Sequence, residues 1–459
     1  MFKLLKHNKL YKSYKFKRSY CMTKFTSANL FTDTLKDTFK FVKPYKKDFA
    51  QEAITISECL SNLYTTKIEM IEQVSEFNKI IPKLPSSAFS SKPNILIIGN
   101  YSVGKTSFIE YLLKKEYPGS YIAPQPSTDK FIVISHANQN ETIPGNVLIN
   151  RVDQPFFPLK SFGSSFLDRF QGSYCSSDLL NNLNIVDTPG SLAGTSLDNN
   201  KRPYDFQGVC KWFIENCDMI MLMFDAHKLD ISEEFEKIIT ALKGHENKIQ
   251  LILNKADTVK ETELLMIYGA LMWNLGKIIN SNEVLNVHVG SFWDKKKEDI
   301  MFSNLFQQHE DTLMQKIYSL PLKTSKNRTS EFYKRISKLK IHVAIIQHLK
   351  NQLPMFMKEK KEKEIMSNLN KYFDEIMNVH EIPVGDMPSV STYEKFLKQN
   401  SLSNLNIKNI SLEKIDLVIN EDMQALEKQI LDLESKNNSN IRGSTADFSQ
   451  LNKYIPFKN

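Results

Sequence analysis

The 459-residue chain is short of several features that would assign it to a class at once. Its five cysteines, Cys21, Cys59, Cys175, Cys210 and Cys217, are odd in number and include no C-x-x-C pair. That excludes a disulfide framework and a cysteine zinc site, and it fits a reducing compartment. No apolar run approaches the ~18 residues that cross a bilayer. The best, Met219 to Phe224, has the length of a buried strand, so any membrane association is expected to be peripheral. The N-terminus lacks the continuous apolar core of a secretory signal. Residues 1–32 lack acids altogether, yet carry Lys3, Lys6, Lys9, Lys12, Lys15, Lys17, Arg18 and Lys24. The formal net charge of +8, from 60 Lys+Arg against 52 Asp+Glu, therefore equals the charge of this tail. A second basic concentration, twelve basic residues against three acidic ones, lies in 320–363. No aromatic-plus-basic RNA-binding motif accompanies either, so no nucleic-acid partner is expected. With 41% hydrophobic and 24% charged residues, the chain is neither disordered nor collagen-like.

Along the chain, apolar residues at Ala53, Ile56, Leu60, Leu63, Ile68, Ile71, Val74 and Phe77 predict a helix over 50–80. Pro82 and Pro85 end it. From Pro93, strand-length apolar runs alternate with helical stretches: Ile95 to Ile98, Phe131 to Ile134, Leu183 to Val186, Met219 to Phe224, Ile249 to Leu253 and Val284 to Val289. Continuous rather than alternating runs are the habit of strands buried on both faces, hence a doubly wound α/β domain with a mostly parallel sheet. After Pro321 the pattern becomes helical, with helices expected at 329–350, 362–378 and 411–433 and a loop at Pro383, Gly385 and Pro388. The early helix has no partner near it in sequence, so it is expected to pack against the late ones as one composite helical domain. The expected divisions are a basic tail at 1–32, a helical segment at 33–91 and a P-loop domain at 92–320. A helical domain at 321–435 and a flexible tail at 436–459 complete them.

Gly99-Asn100-Tyr101-Ser102-Val103-Gly104-Lys105-Thr106 matches G-x-x-x-x-G-K-[ST] between a strand and a helix. The chemistry needs each part. Backbone N–H groups from Gly99 to Ser107, including those of Ser102 and Val103, would face phosphates, and the helix start adds positive potential. Lys105 would reach the β- and γ-phosphates, and the Thr106 hydroxyl would bind Mg²⁺. Asp187-Thr188-Pro189-Gly190 follows a strand; Asp187 would hold the metal through water and the Gly190 N–H would sense the γ-phosphate. Thr128, 22 residues after Thr106, is a candidate switch threonine for metal and catalytic water. Asn254-Lys255-Ala256-Asp257 has the N-K-x-D form of the base-reading loop of GTPases, with Asp257 accepting from the base. Taken alone that loop points to GTP. His227 reads as structural, and the cysteines as small buried residues.

Longer stretches carry a resemblance. They include Lys92-Pro93, Tyr117-Pro118-Gly119, Pro126-Ser127-Thr128-Asp129, Ile143-Pro144-Gly145-Asn146 and Phe162-Gly163 leading into Phe166-Leu167-Asp168-Arg169-Phe170. Phe224 to Ser232, Tyr268 to Trp273, Ser291-Phe292-Trp293 and Lys340-Ile341-His342-Val343 continue it. Over about residues 55–400 the chain resembles the EHD (Eps15-homology-domain-containing) ATPases of the dynamin superfamily. The resemblance implies a membrane-remodelling ATPase using ATP and Mg²⁺, with slow hydrolysis stimulated by assembly on lipid. It implies a homodimer whose interface includes Trp273, higher ring-like oligomers, and a peripheral role on endosome or plasma membrane in endocytic traffic. It also implies a lipid-binding tip at Phe356 to Lys363. Independently of the name, Lys358, Lys360, Lys361 and Lys363 would attract anionic lipid while Phe356 inserts.

The chain departs from the family pattern in three places. Residues after Leu433 are too few for the family's C-terminal EH domain, so Asn-Pro-Phe peptide binding is not expected. Ser191 follows Gly190 where the family usually has an aliphatic residue. The basic tail is longer than the family's N-terminus. It reads as a second membrane contact, an organelle transit peptide, or an extension upstream of a start at Met22; its Lys-rich composition weighs against the second. The alternative function is a nucleotide-gated membrane or protein scaffold that binds ATP or GTP without productive turnover.

Overall fold

A computed structural model describes residues 48–85, 87–120, 129–191, 202–279, 285–293, 303–354, 356–403, 405 and 410–442. The basic tail, Thr128 and the region beyond 442 lie outside the described residues.

Eight strands form one sheet: β1 (Asn94–Gly99), β2 (Phe131–His136), β3 (Glu141–Pro144), β4 (Phe170–Cys175), β5 (Asn184–Asp187), β6 (Met219–Asp225), β7 (Ile249–Asn254) and β8 (Val287–Val289). Their order is β3-β4-β2-β5-β1-β6-β7-β8. The β1–β5, β1–β6, β2–β4, β6–β7 and β7–β8 pairs are parallel; β2–β5 and β3–β4 are antiparallel. All six residues of β1 and of β7 are buried. Alternate residues feed opposite cores: Leu96 and Ile98 on one face, Ile95 and Ile97 on the other. Each such apolar side chain contributes roughly 1.5–3 kcal/mol by leaving water.

Besides short helical pieces such as Glu69–Val74, the main helices in chain order begin with α1 (Asp48–Leu63), α2 (Lys105–Leu113), α3 (Phe206–Asn216), α4 (Glu233–Ala241) and α5 (Glu261–Ile279). Then come α6 (Ser303–Asn351), α7 (Lys358–Ser367), α8 (Leu369–His380), α9 (Val390–Gln399), α10 (Leu412–Leu417) and α11 (Gln424–Arg442). Helices α3, α4 and α5 cover the Leu96 face of the sheet. Helix α2 and the first third of α6 cover the Ile97 face.

Helix α6 organises the rest. Its 49 residues span about 70 Å at 1.5 Å per residue. Leu313, Ile317 and Leu320 lie in the sheet core. Phe332, Ile336, Leu339 and Val343 join Ile56, Leu60 and Tyr64 from the early segment and Ile415, Leu426 and Ile430 from the late one. Ile345, Ile346 and Leu349 join the core of α7, α8 and α9. The composite helical domain is thus real. A buried ion pair fastens it: Arg335 donates from Nε and Nη2 to Glu72 at 2.6 and 2.9 Å, and the Tyr64 hydroxyl donates to the same carboxylate at 3.1 Å. His342, also buried, bridges Ser75 O (2.8 Å) and the Tyr393 hydroxyl (2.7 Å).

Several details differ from expectation. Helix α6 runs through Pro321, so the change of pattern at 320/321 falls inside one helix. Proline removes one intrahelical bond and normally breaks a helix; here Leu320 and Leu322 on either side are both buried. The helix expected at 362–378 starts at Lys358 and is interrupted at Asn368. Helix α9 follows the Pro383–Pro388 loop and was not anticipated. The last helix continues to Arg442, past the expected boundary at 435. Of the described cysteines, Cys175, Cys210 and Cys217 are buried as expected, while Cys59 is only half-buried.

Candidate functional site

The P-loop joins β1 to α2. Gly104 takes φ +91°, and a Cβ there would stand 2.6 Å from the Asn254 Nδ2, so glycine is required twice over. Ser102 also has a positive φ, 66°. Val103 is buried, and Ser107 lies in the first turn of α2. Lys105 is buried and donates from Nζ to the carbonyls of Gly99 (3.1 Å) and Asn100 (3.0 Å). Burial pushes its ammonium down to about 8; Asp187 opposes that shift and Arg202 adds to it.

Asp187 ends β5 fully buried, and burial raises its carboxyl. Thr106 Oγ1 stands 3.4 Å from its Oδ2, and the Tyr117 hydroxyl donates to the same oxygen at 2.9 Å. Asp187 Oδ1 is buried without a hydrogen bond. A carboxylate oxygen kept dry and unpaired is costly unless a ligand satisfies it. Beside the Thr106 hydroxyl it fits Mg²⁺, a cation that usually takes one or two carboxylates plus substrate phosphates. Among the described residues no cluster of three or more His, Cys, Asp or Glu could hold a metal by itself.

Gly190 approaches the P-loop so closely that a Cβ would sit 2.7 Å from Tyr101 Cα. The next residue is stitched down as well. Ser191 donates from Oγ to Asn100 Oδ1 at 2.5 Å, and the Tyr101 N–H donates to Ser191 O at 3.2 Å. Arg202 Nη2 donates to Gly190 O at 2.7 Å, and its guanidinium lies 3.8 Å over the Phe206 ring.

The N-K-x-D loop braces this structure. Asn254 donates to Val103 O at 2.9 Å and accepts from the Phe292 N–H at 3.3 Å. Lys255, left-handed at φ 62°, donates to Ser102 O (2.7 Å) and to Asp225 (2.6 Å). Asp257 Oδ1 is buried and unpaired, so an N–H donor on a base would satisfy it. The fold therefore brings together Lys105, Thr106, Asp187, Gly190, Asn254, Lys255 and Asp257. Sequence reasoning missed Tyr117 and Arg202 as site residues; Asp225, after a strand, reads only as a residue that could sit near the site. Tyr117 and Asp225 lie within stretches that carry the resemblance, but nothing local gives them a role.

Away from this site, the tip between α6 and α7 exposes Phe356 (81%) and Met357 (70%). Lys358, Lys360 and Lys363 are exposed, on a helix rather than a loop. Lys361 is different: its Nζ lies 2.7 Å from the Glu364 carboxylate. Glu362 turns inward and accepts from the Ser401 and Ser403 hydroxyls and the Ser403 N–H at 2.7–3.0 Å. On α5, Trp273 is 69% exposed beside exposed Leu265 and Met266, with Lys277 Nζ 4.9 Å from its ring. It is not a core tryptophan.

A mostly parallel sheet carrying a P-loop, flanked by helices from both sides in sequence, defines a dynamin-type P-loop protein. Residues 95–256 match the dynamin family, and 324–427 match a domain of unknown function (DUF5600). The chain is 39% identical over 393 residues to EH domain-containing protein 1 of Arabidopsis thaliana, covering 84% of this chain and 72% of that protein. EH domain-containing protein 1 of Homo sapiens is 40% identical over 375 residues, 81% and 70% of the two chains. An oligomerised bacterial dynamin pair of known structure aligns at TM-score 0.39 and 15% identity over 92% of this chain and 80% of that one. The chain belongs to the family of EH domain-containing proteins, within the dynamin superfamily.

Proposed function

We propose that the chain is an ATP-binding, slowly hydrolysing mechanoenzyme that dimerises, assembles on anionic membranes and remodels them in endocytic or vesicle traffic. The observation that carries this is α6. One unbroken helix is embedded at one end in the sheet of the nucleotide site and at the other in the core of a tip with an exposed Phe356 and lysines. A rod anchored at both ends suits transmission between nucleotide and membrane.

Lys105 and the P-loop amides bind phosphates, Thr106 and Asp187 hold Mg²⁺, and the Gly190 N–H reports the γ-phosphate. Mg²⁺, when bound, neutralises charge on the phosphates. Asp257 accepts an N–H from the base. Adenine and guanine both carry such donors, so the choice of ATP rests on the family resemblance. The exposed face around Trp273 is the dimer surface. Comparing ATP with GTP affinity by calorimetry tests the nucleotide; guanine preference would refute it. Turnover should rise on adding anionic liposomes.

A second reading, a nucleotide-gated scaffold without productive turnover, has one observation in its favour. The Ser191 hydroxyl is engaged with Asn100 rather than open to a water. Tight ATP binding with turnover unmoved by liposomes would favour it.

A further inference from the structure

Asp187 is held asymmetrically. Both hydroxyls near it approach Oδ2, Tyr117 at 2.9 Å and Thr106 at 3.4 Å, while Oδ1 has no hydrogen bond. Of the two, Thr106 is the hydroxyl that the P-loop motif commits to the cation. The shorter bond comes from Tyr117, whose hydroxyl also meets the Thr106 side chain.

The phenol is also rigidly delivered. Tyr117 is buried in the core beneath β1 and α2. The turn that follows it closes with Ser120 N–H donating to Tyr117 O at 3.0 Å. Ser173 of β4, fully buried, donates to Pro118 O at 2.7 Å and bolts that turn to the sheet. A side chain so fixed can set the plane of a carboxylate, as outer-shell partners do for metal ligands.

We propose that Tyr117 is a positioning residue for the cation site: its hydroxyl orients Asp187 so that Oδ1 stays available to the nucleotide-bound Mg²⁺ and its water. This rests on the nucleotide reading above. The role belongs to the hydroxyl and not to the ring, so Tyr117→Phe isolates it while keeping the core filled.

The test measures affinity for a fluorescent, non-hydrolysable ATP analogue in Mg²⁺ and again in EDTA, together with the melting temperature of the apo-protein. Wild type should bind more tightly in Mg²⁺. Tyr117→Phe should lose about tenfold or more of that Mg²⁺-dependent gain, the usual effect of removing an outer-shell partner, with its affinity in EDTA unchanged. An Mg²⁺ gain equal to wild type would overturn the proposal. So would an equal loss in Mg²⁺ and EDTA, or a lowered melting temperature that accounts for the loss, since either marks the hydroxyl as structural. Wild type that binds no nucleotide in either condition would sink the function reading itself, and this inference with it.

Discussion

The tip makes a graded prediction, because the fold does not treat its lysines alike. Phe356 is 81% exposed, and moving a phenylalanine from water into the acyl boundary is worth about 2 kcal/mol. Phe356→Ala should therefore weaken vesicle binding about 30-fold, with little dependence on salt. Lysines near an anionic leaflet contribute about 1 kcal/mol each, so Lys360→Ala should cost about fivefold. Lys358, Lys360 and Lys363 together should cost about 150-fold at low salt, and that loss should shrink as salt screens them. Lys361 sits 2.7 Å from Glu364; the pair is nearly neutral seen from a membrane, so removing both by Lys361→Ala with Glu364→Ala should change binding less than about twofold. Co-sedimentation with phosphatidylserine-containing vesicles, at a lipid concentration that half-saturates wild type, resolves these steps. Equal losses from the Lys361→Ala, Glu364→Ala double variant and from Lys360→Ala would refute the reasoning, as would normal binding by Phe356→Ala.

Other outcomes follow from the same contacts. Glu72→Ala leaves Arg335 buried and unpaired and should cost roughly 3–5 kcal/mol of stability, while pairing Glu72→Leu with Arg335→Met should recover most of it; chemical denaturation measures both. Burial depresses His342 and His288 to about 4 from the ordinary 6.5 of a histidine, so the unfolded chain binds more protons below pH 6.5. Stability is therefore full above that pH and falls as pH drops towards 4, by about 2 kcal/mol per histidine between pH 7 and 5. His342→Gln should flatten the pH dependence of the melting temperature. Trp273→Ala removes an exposed side chain and should convert dimer to monomer in light scattering without lowering the melting temperature.

The central strands were legible because burial on both faces writes a continuous apolar run, as in Asn94–Gly99 and Met219–Asp225. Strands β3 and β4 were not. Glu141 and Thr142 lie exposed at the sheet edge, and Gln171-Gly172-Ser173 reads as a turn. Ser173 is buried because Pro118 O accepts its hydroxyl, a partner 55 residues away. Helix α9 hid behind Pro383, Gly385 and Pro388, although Tyr393, Phe396 and Leu397 share a buried face. The P-loop and N-K-x-D residues were legible because their chemistry ties residue type to local spacing. The Tyr117–Asp187 bond spans 70 residues and leaves no local mark.

Charge shows the same division between composition and fold. Counting residues, the tip's lysines are offset by Glu359, Glu362 and Glu364. In the structure Glu362 is consumed by Ser401 and Ser403, and Glu364 by Lys361. What faces outward is Lys358, Lys360 and Lys363 against Glu359, with the Glu364–Lys361 pair adding no net charge, beside an exposed phenylalanine and methionine. The surface offered to a membrane is thus more basic than the segment's composition, and the cause is hydrogen bonding: Ser401 and Ser403 draw Glu362 inward and take one acid from the surface while the lysines keep their place on it.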